Sequence, residues 1–264
     1  MKLNGARVLV TGATGGIGEA IVAACAAQGA SVIASGRRAD ALEPIARSVH
    51  AEMVTADLSA DHAVEGLLAE VGDLDVVVAN AALPGIGDLY EFTPEQIDRA
   101  LNVNLRAPML LARLAGEQML ARGRGHLVFV NSLSGKVASG QASIYNATKF
   151  GLRGFALALR EDMRGRGVGV SSVYPGFIRD AGMFAKAGAT APVGAGTRSP
   201  GDVAAAVVRA VEHDIAEIDV ASAALRASSA FGLAVPHFAM HVQRRLGAKV
   251  MHDLASGMRD LDMR

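Results

Sequence analysis

Cysteine, aromatic side chains, net charge and long apolar runs are all scarce in this chain of 264 residues. Its one cysteine, Cys25, excludes a disulfide framework and makes a reducing, cytoplasmic compartment the expectation. Cys25 lies in an Ala-rich helical stretch and reads as packing. Lysine plus arginine balance aspartate plus glutamate at 26 each, so the basic footprint of a nucleic-acid binder is missing. No uninterrupted apolar run reaches the roughly 18 residues of a membrane-spanning helix. The opening "MKLNGARVLV" is too short in apolar residues for a signal peptide. Tryptophan is absent, while 51% of the residues are hydrophobic, mainly Ala, Val and Leu. That composition suits an α/β core.

What the chain has in abundance is glycine, and early. "VTGATGGIGEA" (10–20) follows the strand-like "ARVLVT" (6–11) and opens the helical "IGEAIVAACAAQGA" (17–30). Further β-branched runs at 31–35, 51–57, 74–80, 125–132, 168–176 and 216–221 alternate with helical segments. Those segments cover 39–49, 61–71, a long stretch from Pro94 to Arg122 bent at Pro108, 144–165 and 200–213. Strands apolar on both sides and alternating with helices predict a doubly wound parallel sheet of about seven strands. The fold is Rossmann-like, with helices on both faces. One domain over 1–264 is expected, with a long mobile loop near 176–199 and a helical extension near 223–264.

A glycine-rich turn from strand to helix is the setting for a phosphate site, because the first N–H groups of the helix point at the bound anion. Gly12 permits the turn, and Gly16 and Gly18 let backbone and helix approach closely. The spacing is neither G-x-G-x-x-G nor a P-loop. An empty βα turn is the alternative. Tyr145 and Lys149, at i and i+4, share one helix face.

In order, "TGATGGIG" (11–18), "ADL" (56–58), "ANAA" (79–82), "VNL" (103–105), "NSLSG" (131–135), "YNATK" (145–149) and "YPG" (174–176) make the chain resemble the short-chain dehydrogenases/reductases over about 1–220. The resemblance implies hydride transfer between a nicotinamide cofactor and a carbonyl or secondary alcohol. Tyr145 would be the general acid/base, Lys149 would lower its pKa and hold the cofactor ribose, Ser132 would orient the substrate oxygen, and Asn104 would support a proton relay. A phenol titrates near pH 10, so work near neutrality asks for a fall of about two to three units, roughly 3–4 kcal/mol. Thr14, Ile17, Pro175, Gly176 and Ile178 join the glycines as cofactor contacts. Asp57 would meet the adenine amino group with Leu58 beside it, and Asn80 and Ala81 would line the adenosine ribose.

After the second strand Gly36 stands where NAD-preferring relatives carry an acid, and Arg37 follows. A guanidinium there can pair with a 2′-phosphate, so NADP(H) is favoured, with NAD(H) as the alternative. Gly15 occupies a place where many NADP-dependent relatives carry a second basic residue. Other departures from the family pattern are Ala79 and Ala82 in the "ANAA" turn, and Asp180 at the position of a threonine that meets the nicotinamide amide.

The tail lacks the usual glycine-rich ending. It repeats Phe238, Val242, Leu246, Val250 and Leu254 at four-residue steps, with His241, Arg244, Arg245, Lys249 and His252 on other faces. It could pack on its own domain or a partner subunit, lie on a membrane surface, or cover an extended apolar substrate. His237 and His241 lack an evident third ligand, so no metal is expected.

With Phe177, Met183, Phe184 and "LPGIGDLYEF" (83–92), the loops suggest a hydrophobic small molecule. A homodimer or homotetramer is expected from the resemblance. The rival reading is a cofactor-binding sensor or scaffold without turnover. A serine hydrolase on Ser132 lacks the G-x-S-x-G elbow.

Overall fold

The computed structural model describes residues 1–192, 195–237, 240 and 248–260. Seven strands form one sheet in the order β3-β2-β1-β4-β5-β6-β7. They are β1 Arg7–Thr11, β2 Ser31–Gly36, β3 Glu52–Thr55, β4 Val76–Ala79, β5 Gly125–Val130, β6 Val168–Pro175 and β7 Glu217–Val220. Every pair is parallel. The principal helices are α1 Gly16–Ala27, α2 Ala39–Val49, α3 Ala63–Val71, α4 Pro94–Leu101, α5 Ala107–Arg122, α6 Ser143–Asp162, α7 Gly182–Lys186, α8 Pro200–His213, α9 Ala223–Ala234 and α10 Ala248–Asp260.

The strands read as apolar on both sides because both sides are covered. Val8 and Val10 of β1 point into a core with Ile21 and Val22 of α1 and Val203 and Val207 of α8. Leu9, between them, points into a second core with Leu67 of α3, Leu111 of α5 and Leu152 of α6. The chain lays down β1, β2 and β3 outward, then returns to place β4 on the other side of β1. Successive crossovers therefore diverge between β1 and β4, and a crevice opens beyond the carboxyl ends of those strands.

Three expectations gain detail. The stretch from Pro94 to Arg122 is helical throughout, as expected, and a π-helical turn over Asn102–Arg106 divides it into α4 and α5. Ala107 N–H reaches back to Asn102 O, and Pro108, without an N–H, leaves the helix free to widen there. The long loop has structure of its own: it contains α7, and its ends meet at an Ile178–Arg198 bridge. The tail helix α10 packs on its own chain, with Val250, Leu254 and Ala255 buried against Ile86, Ala142 and Tyr145. Phe238, His241, Val242, Arg244, Arg245, Leu246 and the Lys249 side chain lie outside the described residues. Among the described residues, no helix is long and apolar enough to cross a membrane.

The glycine turn is fixed by the protein as much as by any ligand. Gly12 has φ +64°, and a Cβ there would stand 2.7 Å from Ala81 Cα. A Cβ on Gly18 would stand 2.2 Å from Gly12 O and 2.9 Å from Ala13 Cα, both backbone atoms. We expect Gly18→Val to destabilise the ligand-free protein by about 1–3 kcal/mol or more, the usual cost of overpacking. Chemical denaturation checks this, and a loss below about 0.5 kcal/mol, within the range of neutral surface changes, would show that α1 can move away.

Candidate active site

The crevice at the carboxyl edge is a cavity of about 760 Å³. At one end lies the first turn of α1. Its N-cap, Gly15, has no side chain to offer, and the N–H groups of Gly16, Ile17 and Gly18 find no acceptor among the described residues. Gly12, Thr14, Gly16, Ile17 and Gly18 all line this end. Unpaired N–H groups at the head of a helix fit a pyrophosphate. Gly16 also faces α7's approach, since a Cβ on it would stand 2.5 Å from Ala181 Cβ. Gly15 has more room, with only Gly12 O at 3.5 Å.

Arg37 lines the same end, is exposed, and has no ion pair among the described residues. Asp57 and Leu58 line it too. Burial raises the Asp57 carboxyl, but hydrogen bonds from Ser59 and the charges of Arg37 and Arg99 outweigh it and hold the pKa below the ordinary value. Asn80 and Ala81 are in the wall, but the Asn80 amide is already engaged. It donates to Thr11 O at 3.0 Å and Gly12 O at 3.1 Å, while Thr11 Oγ1 accepts from the N–H groups of Asn80 and Ala81. This clamp holds the "ANAA" turn despite the alanines at 79 and 82.

Ser132, Tyr145 and Lys149 line the same cavity, as do Pro175, Gly176 and Ile178. Ser132 follows β5, and the other two are one turn apart on α6. Tyr145 is 8% exposed and Lys149 2%. Lys149 Nζ donates to Val130 O at 3.1 Å and lies 5.7 Å from the centroid of the Tyr145 ring. Burial pushes the Tyr145 phenol up to about 12, partly offset by a hydrogen bond with Ser132. Burial pushes Lys149 down to about 8. In the ligand-free chain the phenol therefore does not sit below its ordinary value.

Asn104 alone of the predicted residues stands behind the wall. It is fully buried in the π turn, accepts from Leu83 N–H at 2.7 Å, and donates to Leu83 O at 2.9 Å and Thr148 Oγ1 at 3.4 Å. Asp180 is outside the lining as well, exposed at φ +67° beside Arg179. The residue that departs from the family's threonine therefore stands outside the cavity lining.

Three supporting residues escaped the sequence reading. Asn131 accepts from Ser132 N–H at 2.9 Å and donates to Lys149 O at 3.2 Å, tying the two sides of the site together. Asn146 holds the loop after Ser132 through Ser134 O at 2.7 Å and Ser139 N–H at 3.2 Å. Lys136, buried under the same loop, pairs with Asp219 at 2.6 Å and sits 4.0 Å over the Tyr174 ring. Asn131 and Asn146 lie inside the quoted motifs, so position beside Ser132 and Tyr145 was the available signal. Lys136 gave none.

Residues 6–192 match the family model described as short chain dehydrogenase. The chain belongs to the short-chain dehydrogenase family. This short-chain dehydrogenase is 33% identical over 227 residues to a ketoacyl reductase of Nostoc sp., covering 83% of this chain and 79% of that one. It is 38% identical over 229 residues to a 1-deoxy-11-beta-hydroxypentalenate dehydrogenase of Streptomyces exfoliatus, covering 81% and 82%. Among solved structures, a metagenomic short-chain oxidoreductase in complex with NADP aligns with a TM-score of 0.69 at 32% identity, covering 83% of this chain and 98% of that one.

A buried lysine gives a testable pH signature. Lys149 has a lower pKa folded than unfolded, so the unfolded chain binds more protons between about pH 8 and 10.4. Its burial therefore costs stability fully below about pH 8, on the order of 3 kcal/mol, and the cost fades as pH rises through that window. Cys25, pushed up to about 12 by burial, acts oppositely at high pH, so the difference between wild type and Lys149→Met is the quantity to measure. Denaturation at several pH values should show the variant's relative stability falling between pH 8 and about 10.4. A difference independent of pH would mean that Lys149 is well solvated or compensated.

Proposed function

We propose that this chain is an NADP(H)-preferring oxidoreductase acting on a carbonyl or secondary alcohol of an apolar small molecule. The observation that carries the reading is the joining, in one cavity, of an uncapped helix head, an unpaired Arg37 and the buried Tyr145–Lys149 pair. Gly12, Gly16 and Gly18 would hold the pyrophosphate, Arg37 the 2′-phosphate, Asp57 and Leu58 the adenine, and Lys149 the nicotinamide ribose. The NADP-bound relative at 32% identity supports that choice of cofactor. When bound, the nicotinamide supplies or accepts hydride.

The protein's own part is the proton. Ser132 orients the substrate oxygen and shares its charge. Tyr145 gives its phenolic proton to that oxygen on reduction and takes it back on oxidation. For this the phenol must leave the high value set by burial. The Lys149 ammonium is the cation on the same helix face that can favour the phenolate. Lys149, although its pKa is lowered by burial to about 8, stays mostly protonated near neutrality and so can hold that charge beside the forming phenolate. Asn104 acts by position, fixing Leu83 and Thr148 around the pair.

The apolar lining from Ile86, Phe177, Met183 and Phe184 supports a hydrophobic substrate. A ketoacyl reductase and a dehydrogenase of a hydroxylated compound among the relatives support the carbonyl/alcohol class.

Tyr145→Phe should cut kcat for ketone reduction by about 100-fold or more, the usual scale of acid–base catalysis, with NADPH affinity retained. Undiminished turnover would refute the mechanism. Arg37→Ala should weaken NADPH binding by about tenfold and leave NADH within a factor of about two, as loss of a charge-assisted contact implies. Equal losses for both nucleotides would remove Arg37 from 2′-phosphate recognition.

A further inference from the structure

Ser132, the Tyr145–Lys149 pair and the Pro175–Gly176 wall belong to three different elements, and those elements meet again at the edge strand β7. Lys136 comes from the loop after Ser132. It lies outside the cavity lining and is 7% exposed. Its ammonium donates to Asp219 Oδ1 at 2.6 Å, stands 3.4 Å from Glu217 Oε2 and lies 4.0 Å over the Tyr174 ring. Glu217 is shared. It accepts from the Arg153 guanidinium at 2.9 Å and 3.4 Å, and from the Tyr174 hydroxyl. Arg153 follows Tyr145 and Lys149 by four-residue steps on α6, so the three share a face. Tyr174 directly precedes Pro175 and Gly176.

Two cations thus face two carboxylates, the balance that buried charges need. Burial raises the Glu217 carboxyl, but hydrogen bonds from Arg153 and Tyr174 and the charge of Lys136 outweigh it and hold the pKa below its ordinary value. Stability alone would be served as well by well-packed apolar side chains of similar volume. What the ions add is a fixed geometry.

The loop that Lys136 holds has little regular structure of its own. It makes one short 3-10 turn over Leu133–Gly135, and the Ser132 hydroxyl accepts from Ser134 N–H at 3.1 Å within it. Gly135 rests on the backbone of α6, where a Cβ would stand 2.7 Å from Lys149 O. That contact is a pivot beside the site. Lys136, the next residue, is the tether that stops the loop from turning about it.

We propose that Lys136 is a positioning residue, whose pairing with Asp219 and Glu217 holds the Ser132 hydroxyl in register with Tyr145. The proposal rests on the oxidoreductase reading for what Ser132 does. The tether itself needs no turnover.

The test is a mutant cycle of Lys136→Met and Ser132→Ala in the full chain. It is read by kcat with NADPH on the best substrate among 2-alkanones and acetophenones, by NADPH titration, and by hydrogen exchange. Lys136→Met should lower kcat by on the order of tenfold, the scale of a small misplacement of a polar group. NADPH affinity should stay within a factor of about two. On the residual turnover of Ser132→Ala, adding Lys136→Met should change kcat by less than about twofold, because residues that act as a unit are not additive. Amide exchange over 132–142 should speed up about tenfold in Lys136→Met, with β1 and α1 exchanging as in wild type. If Lys136→Met does not fold, Asp219→Asn carries the same cycle with a smaller loss, since Lys136 keeps Glu217.

An unchanged kcat in Lys136→Met, or the same loss with and without the Ser132 hydroxyl, overturns the proposal. Exchange that is unchanged over 132–142, or faster everywhere alike, shows a residue without a local tether and overturns it too. If the wild type reduces no ketone, the oxidoreductase reading fails, and the exchange experiment alone decides whether Lys136 holds the loop.

Discussion

The structure depends on a small clamp between β1 and β4. The Thr11 hydroxyl accepts two N–H groups from the chain leaving β4, and the Asn80 amide donates to two carbonyls of the glycine turn. Parallel strands end here with backbone groups that no neighbouring strand can satisfy. A primary amide, with donor and acceptor on one short arm, can satisfy them. The device recurs around the cavity: Asn104 closes on Leu83, Asn131 joins Ser132 to Lys149, and Asn146 fastens the loop after Ser132. Rigid elements supply the frame, and asparagines fix the loops that carry the polar groups of the site.

On that frame the site holds a phenol and an amine in apolar surroundings, and each moves toward its neutral form. Tyr145 is harder to ionise than in water, and Lys149 easier to discharge. The arrangement costs stability in the ligand-free protein and leaves both groups responsive to a charge brought beside them. Lys149 carries this cost with one backbone acceptor, Val130 O, for its ammonium. The trade is expected where preorganised polar groups serve binding or chemistry.

Much of this was legible in the sequence because the signals were local. A buried parallel strand such as "VVVA" is apolar on both faces, and a turn with φ +64° at Gly12 selects glycine. Tyr145 and Lys149 fall on one helix face by spacing alone. Other features arise from contacts between distant segments. The π turn at 102–106 depends on Asn104 meeting Leu83, and the seating of α10 depends on Gly257 meeting Ala187. Asp180 stands where the family pattern has a threonine, but it is exposed at positive φ beside Arg179, which no alignment of letters reveals.

The most direct test is equilibrium titration of the purified wild-type chain with NADPH and, separately, NADH, followed by nicotinamide fluorescence. The account predicts saturable binding of NADPH, tighter than NADH by about tenfold, since one charge-assisted pair with the 2′-phosphate is worth that much. No saturable signal with either nucleotide would contradict it, leaving the glycine turn as a tight connection between β1 and α1.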